Sequence, residues 1–241
     1  MPSSAVNATY QGRVGNVVNA ALLDWVGSVR NASTGTYAIT YTGNNLVSNA
    51  IYVTFISSRG GYQGSAFRVP LFFDVSSITA SNTITDATLK VYGFGSATST
   101  DTIVVKGTAW GGNGSASTLY TSDFGNLDFS TAYSSKDLAW GGATYNDYTL
   151  NATAISDMNT NGYLNCFVIE GDYDYDGDSP SVGTILSAGI EFLDPTNKIK
   201  LDLTYNVTVA GYGNDVMGVA SANILTVTGV ASANIDNIIG V

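Results

Sequence analysis

Between Ala50 and Tyr205 the chain repeats one pattern: a short run of β-branched and aromatic residues, then a cluster of Gly, Asn, Ser or Asp. The runs are Ala50–Ile56, Phe67–Asp74, Ala87–Phe94, Thr102–Gly107, Tyr145–Leu150, Leu164–Glu170, Gly189–Leu193 and Ile199–Tyr205. In Ala87–Phe94, Leu89 and Val91 fall on one face and Lys90 and Tyr92 on the other, because successive Cβ atoms of a strand point to opposite sides. Helix formers are scarce; the chain has only two Glu, Glu170 and Glu191. The helical signal inside this region is Asn151–Asn159, a turn or two closed at Asn161-Gly162. Many short strands with turn chemistry between them predict an all-β fold, a jelly-roll-like antiparallel β-sandwich over residues 51–206. Pro70 removes one ladder donor from its run, which predicts an edge strand or a bulge there.

The flanks read differently. Residues 1–50 are weakly patterned, but Val17, Val18, Ala21, Leu22 and Trp25 are spaced for one short amphipathic helix ending near Gly27. This N-terminal segment is expected to serve assembly, with Leu22 and Trp25 packing on the domain or on a neighbouring subunit. Residues 207–241 hold a repeat of period eleven: Gly218, Gly229 and Gly240 are equivalent, as are Val219, Val230 and Val241, and Ile224 and Ile235. Such a period suits a right-handed helical repeat, yet recurrent Gly with β-branched residues opposes a long helix. Short strands and turns, or a segment ordered against a partner, are expected instead. The copies are too few to bury a core alone, so Val219, Ile224, Val230, Ile235 and Val241 are expected to contact another surface.

Charge and chemistry narrow the function. Lys and Arg number 9 against 19 Asp and Glu, a net charge of −10. That balance opposes binding to nucleic acid, which needs cations against phosphates, and to anionic membranes. No apolar run approaches the roughly 18 residues of a membrane-spanning helix. Histidine is absent, which removes Ser-His-Asp and Cys-His catalysis and imidazole metal sites. The single cysteine, Cys166, excludes an intrachain disulfide and a Cys-clustered zinc site. Acid pairs such as Asp172 and Asp176 lie in a polar run with no apolar pocket to raise a pKa, so glycosidase chemistry is not expected. The chain starts without a basic stretch followed by an apolar one, so no secretory signal is expected. Five Asn-x-Ser/Thr sequons, beginning with Asn7, carry little weight without one.

Two local features invite a ligand. Glu170-Gly-Asp172-Tyr-Asp174-Tyr-Asp176-Gly-Asp178 places five carboxylates in nine residues. If extended, Glu170, Asp172, Asp174 and Asp176 share one face, which must be solvated or bridged by a cation. Asp-x-Asp-x-Asp-Gly also matches the opening of a calcium loop, although the twelfth position is Gly183 and not Glu. Asp172, Asp174, Asp176 and Asp178 are therefore candidate ligands for Ca²⁺ or Mg²⁺, against the plainer reading of a solvated hairpin end. Trp110 and Trp140 each precede a Gly-Gly pair, and Tyr145 lies close in sequence. Rings on loops stack on sugar faces, so Trp110, Trp140 and Tyr145 are candidate glycan-binding residues; core or interface packing is the plainer reading. Arg68 is expected to form a structural ion pair with an acid such as Asp74.

The middle region resembles the DNRLRE-type, disaggregatase-related β-sandwich family. The matching stretches are Phe67-Arg-Val-Pro-Leu-Phe-Phe-Asp-Val-Ser-Ser-Ile78, Ile84-Thr-Asp-Ala-Thr-Leu-Lys-Val-Tyr92, Tyr148–Ile155 with Asn161-Gly-Tyr163, and Asp194-Pro–Tyr205. The family proline before the last strand is Ile199 here. This resemblance implies the sandwich and leaves function open. The Gly-Val-Ala-x-Ala-Asn-Ile repeats of the tail look like those that end structural proteins of tailed phages, and Tyr10–Trp25 is similar in character. The implied role is a virion structural component without catalysis or a required cofactor, made in a host cytoplasm and displayed on the particle exterior. Its expected partners are other virion proteins and its own copies, by analogy a trimer. The alternative is a carbohydrate-binding module or adhesin for host glycans.

Overall fold

The run Gly61–Asp74 carries apolar residues on both faces: Val69, Leu71 and Phe73 alternate with Ala66 and Phe72, and all are buried. A strand buried on both sides needs a layer above and a layer below. The computed structural model describes residues 1–42, 45–95, 100–109, 118–136, 140–192, 199–207, 226–227 and 230–231. It supplies those layers as an all-β, mostly antiparallel sandwich of two main sheets.

The strands are β1 (Ser3–Asn7), β2 (Tyr10–Ala20), β3 (Tyr37–Thr40), β4 (Asn45–Ser58), β5 (Gly61–Asp74), β6 (Asn82–Tyr92), β7 (Thr102–Gly107), β8 (Leu127–Ala132), β9 (Tyr145–Thr149), β10 (Tyr163–Glu170), β11 (Thr184–Phe192) and β12 (Lys200–Val207). The smaller sheet runs β1-β12-β6-β9. The larger sheet runs β11-β4-β5-β10-β7-β8, with β2 on β5 and β3 on β2. β5 branches: β2 follows it from Tyr62 to Phe72. β4 pairs with Gly61–Phe67, and β10 pairs with Val69–Asp74, so these two share the other edge in succession. Pro70 is thus in a central strand. It sits where the second edge changes partner and where the β2 register skips Gly12 and Arg13, which is how the lost donor is accommodated.

The first fifty residues do not stand apart as an assembly segment. β1 is an edge strand of the small sheet, and β2 lies inside the large one, where a helix was expected. Gly15 faces Phe67 across the strands, and a Cβ there would come within 2.2 Å of the Phe67 ring. Helical structure begins later, in a π turn at Trp25–Arg30, where the Asp24 carboxylate accepts from the Gly27 N–H.

Among the described residues, the α-helices α1 (Ser76–Thr79) and α2 (Ala152–Asn161) pack on the sandwich. α2 forms where expected. The Asn151 side chain caps it by accepting from the N–H groups of Thr153 and Ala154, and Gly162 ends it at φ 74°. In the tail, β13 (Thr226–Val227) pairs antiparallel with β14 (Val230–Ala231).

Two hydrophobic cores result. One fills the space between the sheets, with Leu89, Val91, Leu201 and Leu203 facing Val69, Leu71, Phe73 and Val168. Each such side chain contributes about 1.5–3 kcal/mol on burial. The second lies on the far face of the large sheet, where Val14, Ala66, Phe72, Val105 and Phe167 are covered by turns.

Candidate functional site

The acidic run is where the sequence and the structure diverge most. β10 ends at Glu170 because its carboxylate accepts three backbone N–H groups ahead of it: Asp172 at 3.0 Å, Tyr173 at 2.8 Å and Asp174 at 3.0 Å. The side chain takes the place of a ladder partner, and the chain curls into a π turn at Gly171–Tyr175 instead of staying extended. Burial pushes the Glu170 carboxyl up to about 7, against the pull of those three donors and with the help of the nearby Asp174 charge.

The curl separates the carboxylates that an extended strand would align. Asp174 turns inward and is fully buried. Its oxygens accept from Arg68 Nε at 2.9 Å and Nη2 at 2.7 Å, a two-pronged contact suited to a planar guanidinium. Asp172 and Asp176 both accept from Lys136 Nζ, at 2.9 and 2.6 Å. Desolvation pulls the Lys136 pKa down, but these two hydrogen bonds hold it above the ordinary lysine range. Asp178 is exposed. The candidate metal ligands are thus divided: Asp174 is taken by Arg68, Asp172 and Asp176 share Lys136, and Asp178 faces solvent, so cations of the chain itself relieve the repulsion among the first three. Among the described residues, no group of three His, Cys, Asp or Glu side chains is placed to hold a metal ion.

Arg68 organises the covering layer of the second core. Besides Asp174 it donates to the Phe124 carbonyl at 2.6 Å and to the Arg30 carbonyl at 2.6 Å. Its guanidinium lies 3.8 Å from the Phe124 ring centroid. Phe124 belongs to a 3-10 turn at Thr121–Gly125, so one buried side chain ties together the turns at 25–30, 121–125 and 171–175. Arg30 reinforces the tie, donating to the Asp174 carbonyl at 2.6 Å and the Tyr175 carbonyl at 2.7 Å. The expected pairing of Arg68 with Asp74 is not made. Six residues along a strand is about 20 Å, too far for the two to meet, and Asp74 instead accepts from the N–H and hydroxyl of Ser76.

The aromatic candidates are not brought together. Trp110 lies outside the described residues. Trp140 is 9% exposed and belongs to the core between the sheets, so it is not a displayed platform. Tyr145 does lie on the outward face of the small sheet, beside inward-facing Asn146 and Tyr148. Tyr92 meets it edge-on at 5.1 Å, and the ammonium groups of Lys90 and Lys200 lie 5.8 and 5.1 Å from its ring centroid.

The assembly candidates divide as well. Leu22 is 90% exposed, whereas Trp25 is 3% exposed and packs in the second core, its indole N–H donating to the Thr54 carbonyl. Trp25 thus serves its own chain and offers no docking surface. Val230 lies in β14, paired with Val227. Val219, Ile224, Ile235 and Val241 lie outside the described residues. No helix among the described residues is long and apolar enough to cross a membrane.

No protein-family model matches the chain, and no curated protein matches it.

Proposed function

We propose that the chain is a structural component of a tailed-phage virion, a capsid decoration, head fibre or tail-associated protein that acts by assembly and display. The observation that carries this reading is the eleven-residue repeat that follows the sandwich. Its apolar positions recur at equal spacing and are too few to form a core, so they suit a surface supplied by another subunit. The sandwich, jelly-roll-like in this reading, is the displayed body. Its buried and half-buried charges are engaged in holding the fold: Asp174 on Arg68, Asp172 and Asp176 on Lys136, and Asp157 on Lys106. This supports a role by binding, without chemistry. The partners are other virion proteins and further copies of the chain, with a trimer as the working symmetry.

Deletion of residues 207–241 tests the reading. The truncated chain should keep the thermal transition of the sandwich and lose incorporation into particles, measured by labelling purified virions with an antibody to the sandwich. Full incorporation of the truncated chain would reject the assembly role of the tail.

A further inference from the structure

The large sheet opens at one point. The pairing of β7 with β10 stops at Lys106 and Cys166, and the chain leaves through Thr108, whose N–H donates to the Asn126 carbonyl. α2 passes beside the opening and contributes Asp157 and Asn161. Between these elements lies a cleft of about 270 Å³.

Its lining is unusual in one respect. Asn165 is 7% exposed and its Oδ1 has no hydrogen-bond partner. The side chain lies over Gly107, where an added Cβ would stand 2.5 Å from Oδ1. A buried amide oxygen without a donor is destabilising, and Asn165 is one of the residues that line the cleft. The other groups are complementary. Lys106 Nζ donates to Asp157 Oδ2 at 2.8 Å, and the Tyr133 hydroxyl donates to the same oxygen. Burial raises the Asp157 pKa, but these two bonds hold it below the usual carboxylate range, so it is an ionised acceptor at neutral pH. Thr108 and Asn161, both exposed at the lip, supply a hydroxyl and an amide. Tyr163 forms a wall: it is 39% exposed and stacked on Phe72 at 5.3 Å with an interplanar angle of 27°, which fixes its ring.

We propose that this cleft binds one ring of a neutral sugar. The Lys106–Asp157 pair is self-neutralising, and the remaining polar groups are amides and hydroxyls, so nothing selects a charged ligand. Hydroxyls, amides and one exposed aromatic ring among the lining residues suit a molecule with hydroxyls on its rim and C–H groups on its face. The volume falls just below the 300–1,000 Å³ typical of drug-sized ligands, which limits the occupant to about one monosaccharide unit. This site goes beyond the assembly reading, and its lining residues all belong to the sandwich.

The test uses the full ¹⁵N-labelled chain titrated with glucose, galactose, mannose and N-acetylglucosamine, and with the disaccharides maltose and lactose, each to about 50 mM, well above the millimolar Kd expected of so small a contact. At least one sugar should give saturable shifts centred on Thr108, Asn161, Tyr163 and the Asn165 side-chain amide. A free-sugar site responds to monosaccharides alone, and a glycan-end site responds to disaccharides also. Asn161→Ala and Tyr163→Leu should each weaken binding about tenfold, while Tyr145→Ala on the small sheet leaves it unchanged. Absence of a saturable shift with every sugar overturns the proposal. So do shifts centred on Tyr92 and Tyr145, or unchanged affinity in folded Asn161→Ala and Tyr163→Leu chains. Should both variants fail to fold, the shift map of the unmodified chain decides.

Discussion

The two faces of the large sheet are buried by different chemistry. Toward the small sheet, the covering elements are strands whose backbone groups are satisfied in their own ladders, and the facing residues are apolar: Leu89, Val91, Leu201 and Leu203. On the opposite face the cover is made of turns, and turns bring carbonyl and N–H groups that lack ladder partners. There the buried set includes Arg68, Asp174 and Glu170, at 0%, 0% and 1% exposure. A guanidinium has five donors in a fixed fork, and Arg68 directs hydrogen bonds from Nε, Nη1 and Nη2 to the Asp174 carboxylate and to the Phe124 and Arg30 carbonyls. A regular partner is held by buried area, and an irregular one needs a polar centre to collect its loose ends.

The contrast is broken most directly at Arg68. Arg68→Met leaves the Asp174 carboxylate buried without the guanidinium that pairs both its oxygens, and denaturant unfolding should show a loss of about 3–5 kcal/mol. Hydrogen exchange should rise first in residues 25–30, 121–125 and 171–175 while β6 and β12 stay protected; an even rise across both layers would contradict the division. Adding Asp174→Leu to Arg68→Met should recover much of the loss, because the stranded charge is then gone. The opposite layer is probed by Leu89→Ala, which removes apolar area with no polar consequence. It should cost about 2–5 kcal/mol and loosen β6, β12 and their facing strands without a selective effect on the turns.

A smaller effect sharpens the comparison through pH. The Glu170 carboxyl is held near 7 in the fold, against an ordinary 4.5, so between those values the folded state binds a proton that the unfolded chain does not. Stability should therefore fall as pH rises through this window, with a slope of at most about 1.4 kcal/mol per pH unit. Glu170→Gln should flatten that slope in melting curves; an unchanged slope would place the titration elsewhere. Below it, Asp74 and Asp128 act in the reverse sense. Their carboxyls are held low by hydrogen bonds from Ser76 and Ser130, and the fold loses their contribution as pH drops through their folded titration.

How much of this was legible depended on whether the deciding contact was local. β6, β7 and β10 announce themselves because alternation or a short apolar run is a property of neighbouring residues. α2 does so through its Asn151 and Gly162 ends. β2 does not, because the spacing of Val17, Val18, Ala21, Leu22 and Trp25 suits a helix, and Gly12 and Gly15 carry no strand signal until Ile39 and Phe67 are seen pressed against them. The acidic run misled for a related reason. The run carries no cation of its own, and the cations that balance it are remote in sequence: Arg68 lies 106 residues from Asp174 and Lys136 lies 36 from Asp172. Trp25 and Trp140 show the same limit, since a ring beside turn residues reads alike whether it points in or out. The cleft at Asn165 was invisible because an orphaned amide is defined only by what surrounds it.

The shared edge of β5 has a consequence for how the polypeptide is made. Val69 pairs with Val168, and Phe73 with Leu164, so the most apolar half of this strand waits for a neighbour that has not yet been translated. At about 5–20 residues per second the delay is on the order of 5–20 s. Throughout that interval β2 is available for one side of the greasy ribbon, while the side kept for β10 stays bare and open to annealing with the same ribbon on an adjacent nascent chain.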